Sequence, residues 1–417
     1  MKKLLAARMS IDPRPSLRKL ACALAVATTV GCGSEPQEST NDDITIGLLL
    51  PFTGSDSATA SNFERAALFA RDQVNAAGGI KGRKLSIVAA DTHSDVGRAK
   101  ESANGLIDDG ALVIIGPENA EIAAAIRPML DSRDVVFLSP LVGAADDKAV
   151  DCTTPWFRIA PSASVLGEAL AKQAISDGAR RAGTLHSDAA YDVALRTAFS
   201  NRFRALKGDV VFEQTLQRDA QSYAKTLEGA LQAGVETILL AASPRLGALA
   251  VNELGALTAQ PPRWLLSPLL KTDLLLQNVA PEVLENSNGV APKIYEKSTK
   301  FPTAFAERWQ GDEPLEGAFF YYDAAALTAF ALEKTELVDG HFVAADLRRS
   351  VFAVSGLPGE PGHWDEMEQS LARLRQHDFI YYAGLTGPML LNPCGDRKVG
   401  AYSRWEVHGG AIVEVAQ

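Results

Sequence analysis

The chain has 417 residues, of which 47% are apolar and 22% charged, and its 16 Phe, 8 Tyr and 5 Trp supply several sizeable cores. Disorder and collagen-like architecture are excluded, and at about 150 residues per domain the length predicts two or three domains. The formal charge is −10. With no basic block and no aromatic-interleaved arginine run, nucleic acid is not an expected partner.

Six basic residues (Lys2, Lys3, Arg8, Arg14, Arg18, Lys19) and one acid (Asp12) precede an apolar run over 20–30 that is too short to span a bilayer. The pattern predicts a secretory signal over 1–31. Thr29, Val30 and Gly31 lead into Cys32 in the manner of a bacterial lipobox, although leucine usually stands where Thr29 does. Cleavage before Cys32 and lipidation of that cysteine would anchor the chain to a bacterial membrane on the periplasmic side; plain secretion is the other reading. Residues 32–43 are polar and aperiodic, as a flexible tether is. Removing the signal leaves 35 Lys and Arg against 50 Asp and Glu, a net charge of −15.

Of the four cysteines, Cys22 leaves with the signal and Cys32 is claimed by lipid. Cys152 and Cys394 are then the thiols left in an oxidising compartment, either as a disulfide or as two separate buried thiols.

The first element after the tether is a continuous apolar run over 44–51 (ITIGLLLP), the pattern of a strand covered on both faces, closed by the turn residues Pro51, Thr53 and Gly54. Phe63, Ala67, Ala70 and Val74 then recur on one helical face, with Gly78 and Gly79 as its stop. The alternation continues with a strand over 85–89, a helix over 95–109, a strand over 111–115, a helix over 120–132 and a strand over 135–138. After 156–160 it restarts. Helices are predicted over 165–176, 192–206, 223–233 and 246–257, interleaved with strands over 182–186, 210–213, 237–241 and 264–266. Residues 289–294 read as another extended crossing. Helices over 303–309, 317–333, 344–352 and 366–376 follow, then short terminal strands. Strands alternating with helices imply right-handed crossovers and parallel sheets, here in two lobes.

Enzyme signatures are missing. The six histidines form no metal-binding pair at helical spacing, and neither a G-x-S-x-G elbow nor a phosphate-binding G-x-x-x-x-G-K-[ST] loop occurs. No metal, cofactor or catalytic residue is expected. Gly78 to Gly82 follow a helix and enter a strand, the reverse of an anion cradle, so they read as a helix cap. Asp91, His93 and Asp95 read as a strand-end turn with Asp95 capping the next helix. Tyr321, Tyr322 and Asp323 sit on an apolar helix and read as core with one satisfied polar group. The apolar stretch 318–332 is interrupted by Asp323 and Thr328, which fits a buried helix better than a membrane span.

Several short stretches, in this order and spacing, resemble the periplasmic type I solute-binding proteins of the Leu/Ile/Val and amide class. They are Pro51-Phe52-Thr53-Gly54, the run from Val74 to Leu85 (VNAAGGIKGRKL), Asp91, Ile115-Gly116-Pro117 and Ser139-Pro140. Phe157-Arg158, Tyr322-Asp323-Ala324, the run from Tyr382 to Pro388 (YAGLTGP) and Gly395-Asp396 complete the set. The resemblance covers 44–415. It implies an α/β fold of two Rossmann-like doubly wound parallel-sheet lobes joined by a three-crossing hinge, with lobe I over 44–157 and 291–400 and lobe II over 158–290 and 401–417.

In open parallel sheets ligands bind beyond the carboxyl ends of the strands, and a cleft between two lobes closes about a hinge. The candidate site is therefore the loops 53–57, 118–121, 141–143, the turn before Asp192, 243–245 and 268–271. In amino-acid-binding members of the family, a hydroxyl and free backbone N–H groups receive the ligand carboxylate at a position that is Ala120 here. A second hydroxyl falls on Gly143, and the acid that neutralises the ligand ammonium falls near Leu269. An aromatic in the second lobe is kept as Tyr191, with Asp192 where glycine is usual. Three anchors for an α-amino acid are thus absent. Glu118 and Glu121 flank a helix start and would repel a ligand carboxylate, or else are first-turn acids facing solvent. The expected solute is neutral or cationic, held by Glu118, Asn119, Tyr191 and Ser243 with apolar contacts from Val142 and Leu269. The resemblance implies a lipid-anchored receptor that delivers a small organic solute to the permease and ATPase subunits of an ABC importer. The alternative is an envelope interaction or regulatory lipoprotein of the same fold that no longer binds a solute.

Overall fold

The computed structural model describes residues 43–54, 56–142, 152–154, 156–217, 219–294, 298–356, 358–397 and 402–415. The expected signal, the lipidation site Cys32 and the tether as far as residue 42 lie outside them, as does Gly143.

The first sheet contains β1 (Ile44–Leu50), β2 (Leu85–Asp91), β3 (Val113–Ile115), β4 (Val136–Ser139) and β5 (Phe157–Arg158) in the order β2-β1-β3-β4-β5, every pairing parallel. Between them run α1 (Ala60–Ala76), α2 (Val96–Asp108) and α3 (Ala120–Ser132). All seven residues of β1 are buried because the strand is interior to the sheet and covered on both faces. Ile46, Leu48 and Leu50 join the cluster that contains α1, whereas Leu49 joins the one that contains α2 and α3. α1 ends where Gly78 and Gly79 take φ of 92° and 71°, and the Gly79 N–H donates to the Val74 carbonyl at 3.0 Å. This is the left-handed cap the sequence predicts. Asp95 caps α2, accepting from the Arg98 N–H at 2.9 Å, and Asp91 binds the N–H of Thr53 and of His93 in the turn.

The second sheet follows. Its helices are α4 (Ala163–Ser176), α5 (Ala190–Ala205), α6 (Ala224–Gln232) and α7 (Pro244–Leu257), with the short α8 (Asp273–Gln277) and α9 (Pro281–Leu284). Its strands are β6 (Arg181–His186), β7 (Asp209–Thr215), β8 (Thr237–Ala241), β9 (Arg263–Leu266) and β10 (Asn288–Pro292). The chain then returns to the first sheet's layer with α10 (Phe301–Arg308), α11 (Glu316–Lys334), α12 (Ala344–Ser355) and α13 (Met367–Arg375), interleaved with a three-stranded sheet of β11 (Glu360–Gly362), β12 (Ile380–Gly384) and β13 (Gly387–Pro388). It ends with β14 (Tyr402–His408) and β15 (Ala411–Val415), which complete a seven-stranded sheet ordered β15-β14-β10-β9-β8-β6-β7.

Two expectations change in detail. Residues 289–294 are not merely a crossing: β10 is an interior strand, parallel to β9 and antiparallel to β14. The second sheet is also mixed rather than parallel, because β14 and β15 join it antiparallel. The pairing of β10 with β14 is not written locally, since the two strands lie more than 100 residues apart in sequence. The apolar stretch over 318–332 is a buried helix, with every residue from Ala318 to Glu333 covered, as expected of a helix that is apolar all round. Among the described residues no helix is long and apolar enough to cross a membrane.

Within α11, Asp323 is fully buried and accepts from Tyr382 Oη at 2.7 Å, Leu385 N at 2.7 Å, Thr386 N at 2.9 Å and Thr386 Oγ1 at 2.7 Å. Burial raises its pKa despite these bonds. Arg397, also buried, donates to Thr386 Oγ1 at 2.9 Å and to the Thr386 carbonyl at 2.5 Å. Nearby, Cys152 and Cys394 form a disulfide with Cα atoms 4.4 Å apart, and Arg158 pairs with Asp396 in an ion pair that is almost wholly buried. β5 and the segment just before it are thereby tied to the stretch that leads into β14.

Candidate functional site

The chain leaves the first sheet at the carboxyl end of β5, runs away along α4 and comes back along β6. The carboxyl ends of the parallel strands in both sheets are therefore the ends nearest the crossings. One ion pair joins them: Lys271 Nζ, beyond β9, lies 4.0 Å from Glu316 Oε2 at the start of α11, and 2.9 Å from Glu414 Oε1 on β15. Burial, partly offset by Lys271, raises the pKa of Glu316.

On the first-sheet side, the loops beyond β1, β3 and β4 are neighbours because these strands are adjacent. Glu118 and Asn119 link β3 to α3. Asn119 Oδ1 accepts from the N–H groups of Glu121 at 2.9 Å and of Ile122 at 3.1 Å, so two of the donors at this helix start are already capped. Ala120 and Glu121 are exposed, and Glu121 takes the solvent-facing orientation of a first-turn acid. Glu118 differs. It is half-buried, Thr59 Oγ1 donates to its Oε1 at 3.4 Å, and its Oε2 is buried without a hydrogen-bond partner among the described residues. Burial, reinforced by Asp56 and opposed by Thr59, pushes its pKa up to about 7.

Val142 is buried with Phe137 and Trp156 in the layer between the sheet and α2 and α3, so its side chain is committed to packing. On the second-sheet side, Tyr191, Ser243 and Leu269 follow β6, β8 and β9, three adjacent strands. Tyr191 opens α5 half-buried against the cluster of Leu195 and Phe199, and burial next to Asp192 raises its pKa. The carboxylate of Asp192 accepts from Ser187 Oγ at 2.6 Å, which shapes the turn before it. Ser243 is exposed at the start of α7 and makes no side-chain capping bond. Leu269 is 51% exposed.

Tyr321, Thr59 and Glu316 were not singled out by sequence as site residues, whereas Lys271 closes the expected loop 268–271. Tyr321 is fully buried, stacks on Phe63 with ring centroids 4.9 Å apart, and leaves its hydroxyl without a partner among the described residues. A Cβ at Gly317, one helical turn earlier, would sit 2.4 Å from Phe63, so glycine there is what lets the two rings meet. The pairing of Gly317 with Tyr321 at i, i+4 beside an apolar α1 face is the one local signal that could have pointed to it. Cavities lined by described residues lie elsewhere. One of about 500 Å³, bounded by Asp177, Thr237, Arg263 and Glu285, sits at the amino ends of β8 and β9, opposite the loops above. Another, of about 420 Å³, lies between Lys81, Glu333 and Arg375.

Comparison with known proteins agrees with this geometry. The family profile described as periplasmic binding protein matches residues 43–372. The Leu/Ile/Val-binding protein homolog 3 of Brucella melitensis is 30% identical over 128 residues, 31% of this chain and 34% of that protein, so the match spans about a third of the relative's length. Among solved structures, the leucine binding protein LivK of Thermotoga maritima superposes with a TM-score of 0.70 at 19% identity, covering 89% of this chain and 98% of that one. A solute binding protein of R. palustris in complex with benzoate gives 0.66 at 18% identity, covering 89% and 95%. With the profile spanning most of the chain and the two-sheet fold shared with these structures over 89% of it, the chain belongs to the periplasmic binding protein family.

Proposed function

We propose that the protein is an extracytoplasmic solute receptor, lipid-anchored through Cys32, that captures a small organic solute between the loops at the carboxyl ends of its two sheets and delivers it to an ABC importer. The observation that carries this reading is the Lys271–Glu316 contact, which sets the loop beyond β9 of the second sheet against the start of α11, a helix packed on the first sheet's side. Such a crevice is where open α/β sheets bind ligands. The Leu/Ile/Val-binding name of the Brucella relative supports an amino-acid-like or amide solute. Permease and ATPase subunits would be the protein partners.

A thermal-shift screen of the purified chain against amino acids, amides, polyamines and aromatic acids tests the reading. A ligand at a hundred times its dissociation constant stabilises by about 2.7 kcal/mol. Tyr191→Ala is expected to abolish the shift, although loss of its packing on Leu195 and Phe199 also lowers the unliganded melting temperature. Silence across the library would instead favour an envelope interaction protein of the same fold, a reading that Ala120 and the capped N–H groups of Glu121 and Ile122 support.

A further inference from the structure

We infer that the solute presents a cationic nitrogen to Glu118, with the Tyr321 hydroxyl as its second contact, and that binding weakens on mild acidification. This rests on the solute-capture reading and specifies the chemical class that the first-sheet side of the cleft accepts.

Two buried polar atoms at the carboxyl end of β3 have no hydrogen-bond partner among the described residues: Glu118 Oε2 and Tyr321 Oη. They belong to one neighbourhood. Glu118 acts electrostatically on Tyr321, and a Cβ at Gly116, two residues before Glu118, would sit 3.5 Å from the Tyr321 hydroxyl. Leaving a carboxylate oxygen buried and unmatched is costly, and a ligand ammonium supplies what is missing: positive charge and N–H donors that both Oε2 and the phenol oxygen can accept.

The surrounding charges select the same sign. Asp56, from the loop beyond β1, adds negative potential to Glu118, and Thr59 at the start of α1 contributes a hydroxyl that already donates to Oε1. Two of the N–H groups at this helix start, which would otherwise welcome a carboxylate, are capped by Asn119, and Lys271, the cation beyond β9, is shared by Glu316 and Glu414. An anionic group would meet carboxylates and no available cation among these residues.

Because Glu118 titrates near neutrality, its charge is present at pH 8 and largely absent at pH 6. An amine of ordinary pKa, about 10, stays protonated at both. The ligand therefore selects the ionised form of Glu118, and its dissociation constant is expected to be about tenfold lower at pH 8 than at pH 6.

Calorimetric titration of the full chain at the two pH values with isoamylamine and spermidine, isovaleramide, isovalerate and leucine tests this. Expected are tightest binding by an amine, strengthening about tenfold between pH 6 and pH 8, loss of that pH dependence in Glu118→Gln, and weaker amine binding in Tyr321→Phe, which keeps the ring stacked on Phe63. Preference for isovalerate or leucine, or amine binding that is flat with pH in the native chain, overturns the assignment to Glu118 while solute capture stands. Failure of every probe to bind overturns both.

Discussion

Glu118→Gln provides a test that needs no ligand. In the folded protein burial and Asp56 push the pKa of this carboxyl from 4.5 up to about 7. Below pH 4.5 the group is protonated whether the chain is folded or not, and its contribution to stability is fully present. As the pH rises from 4.5 to 7 the unfolded chain loses the proton first, so folding becomes less favourable, and above about pH 7 the loss is complete. A displacement of that size corresponds to about 3 kcal/mol, a ceiling because Glu118 is only half-buried. Glutamine has nearly the shape of the protonated acid and cannot ionise. The variant is therefore expected to match the native protein near pH 4.5 and to exceed it in stability by up to about 3 kcal/mol at pH 8. For a compact body of about 380 residues, with an unfolding entropy of about 2.1 cal/mol/K per residue, this is a rise of about 4 °C in melting temperature. Melting curves of both proteins followed by circular dichroism from pH 4.5 to 8.5 give the comparison. Parallel curves, with the same difference at every pH, would show that Glu118 is solvated and ionises freely.

Asp323→Ala removes the acceptor for four donors from Tyr382, Leu385 and Thr386 and lowers the compensation of buried Arg397. A loss of about 3–5 kcal/mol is expected in urea unfolding, and a change under about 1 kcal/mol would contradict the bonding described here. Cys394→Ser opens a loop that spans 242 residues. The chain-entropy relation sets the cost at about 5 kcal/mol at most, and an unchanged unfolding midpoint between Cys394→Ser and the oxidised native protein would show that the disulfide does not form.

Local chemistry made much of the molecule readable in advance. The uninterrupted apolar run of β1 signalled a strand buried on both faces, Gly78 and Gly79 signalled a left-handed stop, and Asp95 signalled a helix cap. Each of these depends on groups within a few residues of one another. The ordered short motifs added the two-sheet architecture. What was less legible depends on distant partners. β10 is an interior strand because β14 returns to it from more than 100 residues away, and Val142, an apolar loop residue by pattern, is drawn into the packing around Trp156. Glu118 and Glu121 are the same residue type three positions apart and could not be told apart by pattern, yet one faces solvent and the other turns toward Thr59.

The sequence by itself determined the alternation of strands and helices, the helix ends and the two lobes, because backbone geometry and apolar periodicity act over short range. Only the tertiary structure decided which carboxylate is buried, that Tyr321 leaves its hydroxyl beside it, and that Lys271 reaches Glu316. Burial and charge at a point in space are set by every segment that passes near it, and some of those segments, such as the ones that carry Glu118 and Tyr321, lie more than 200 residues apart along the chain.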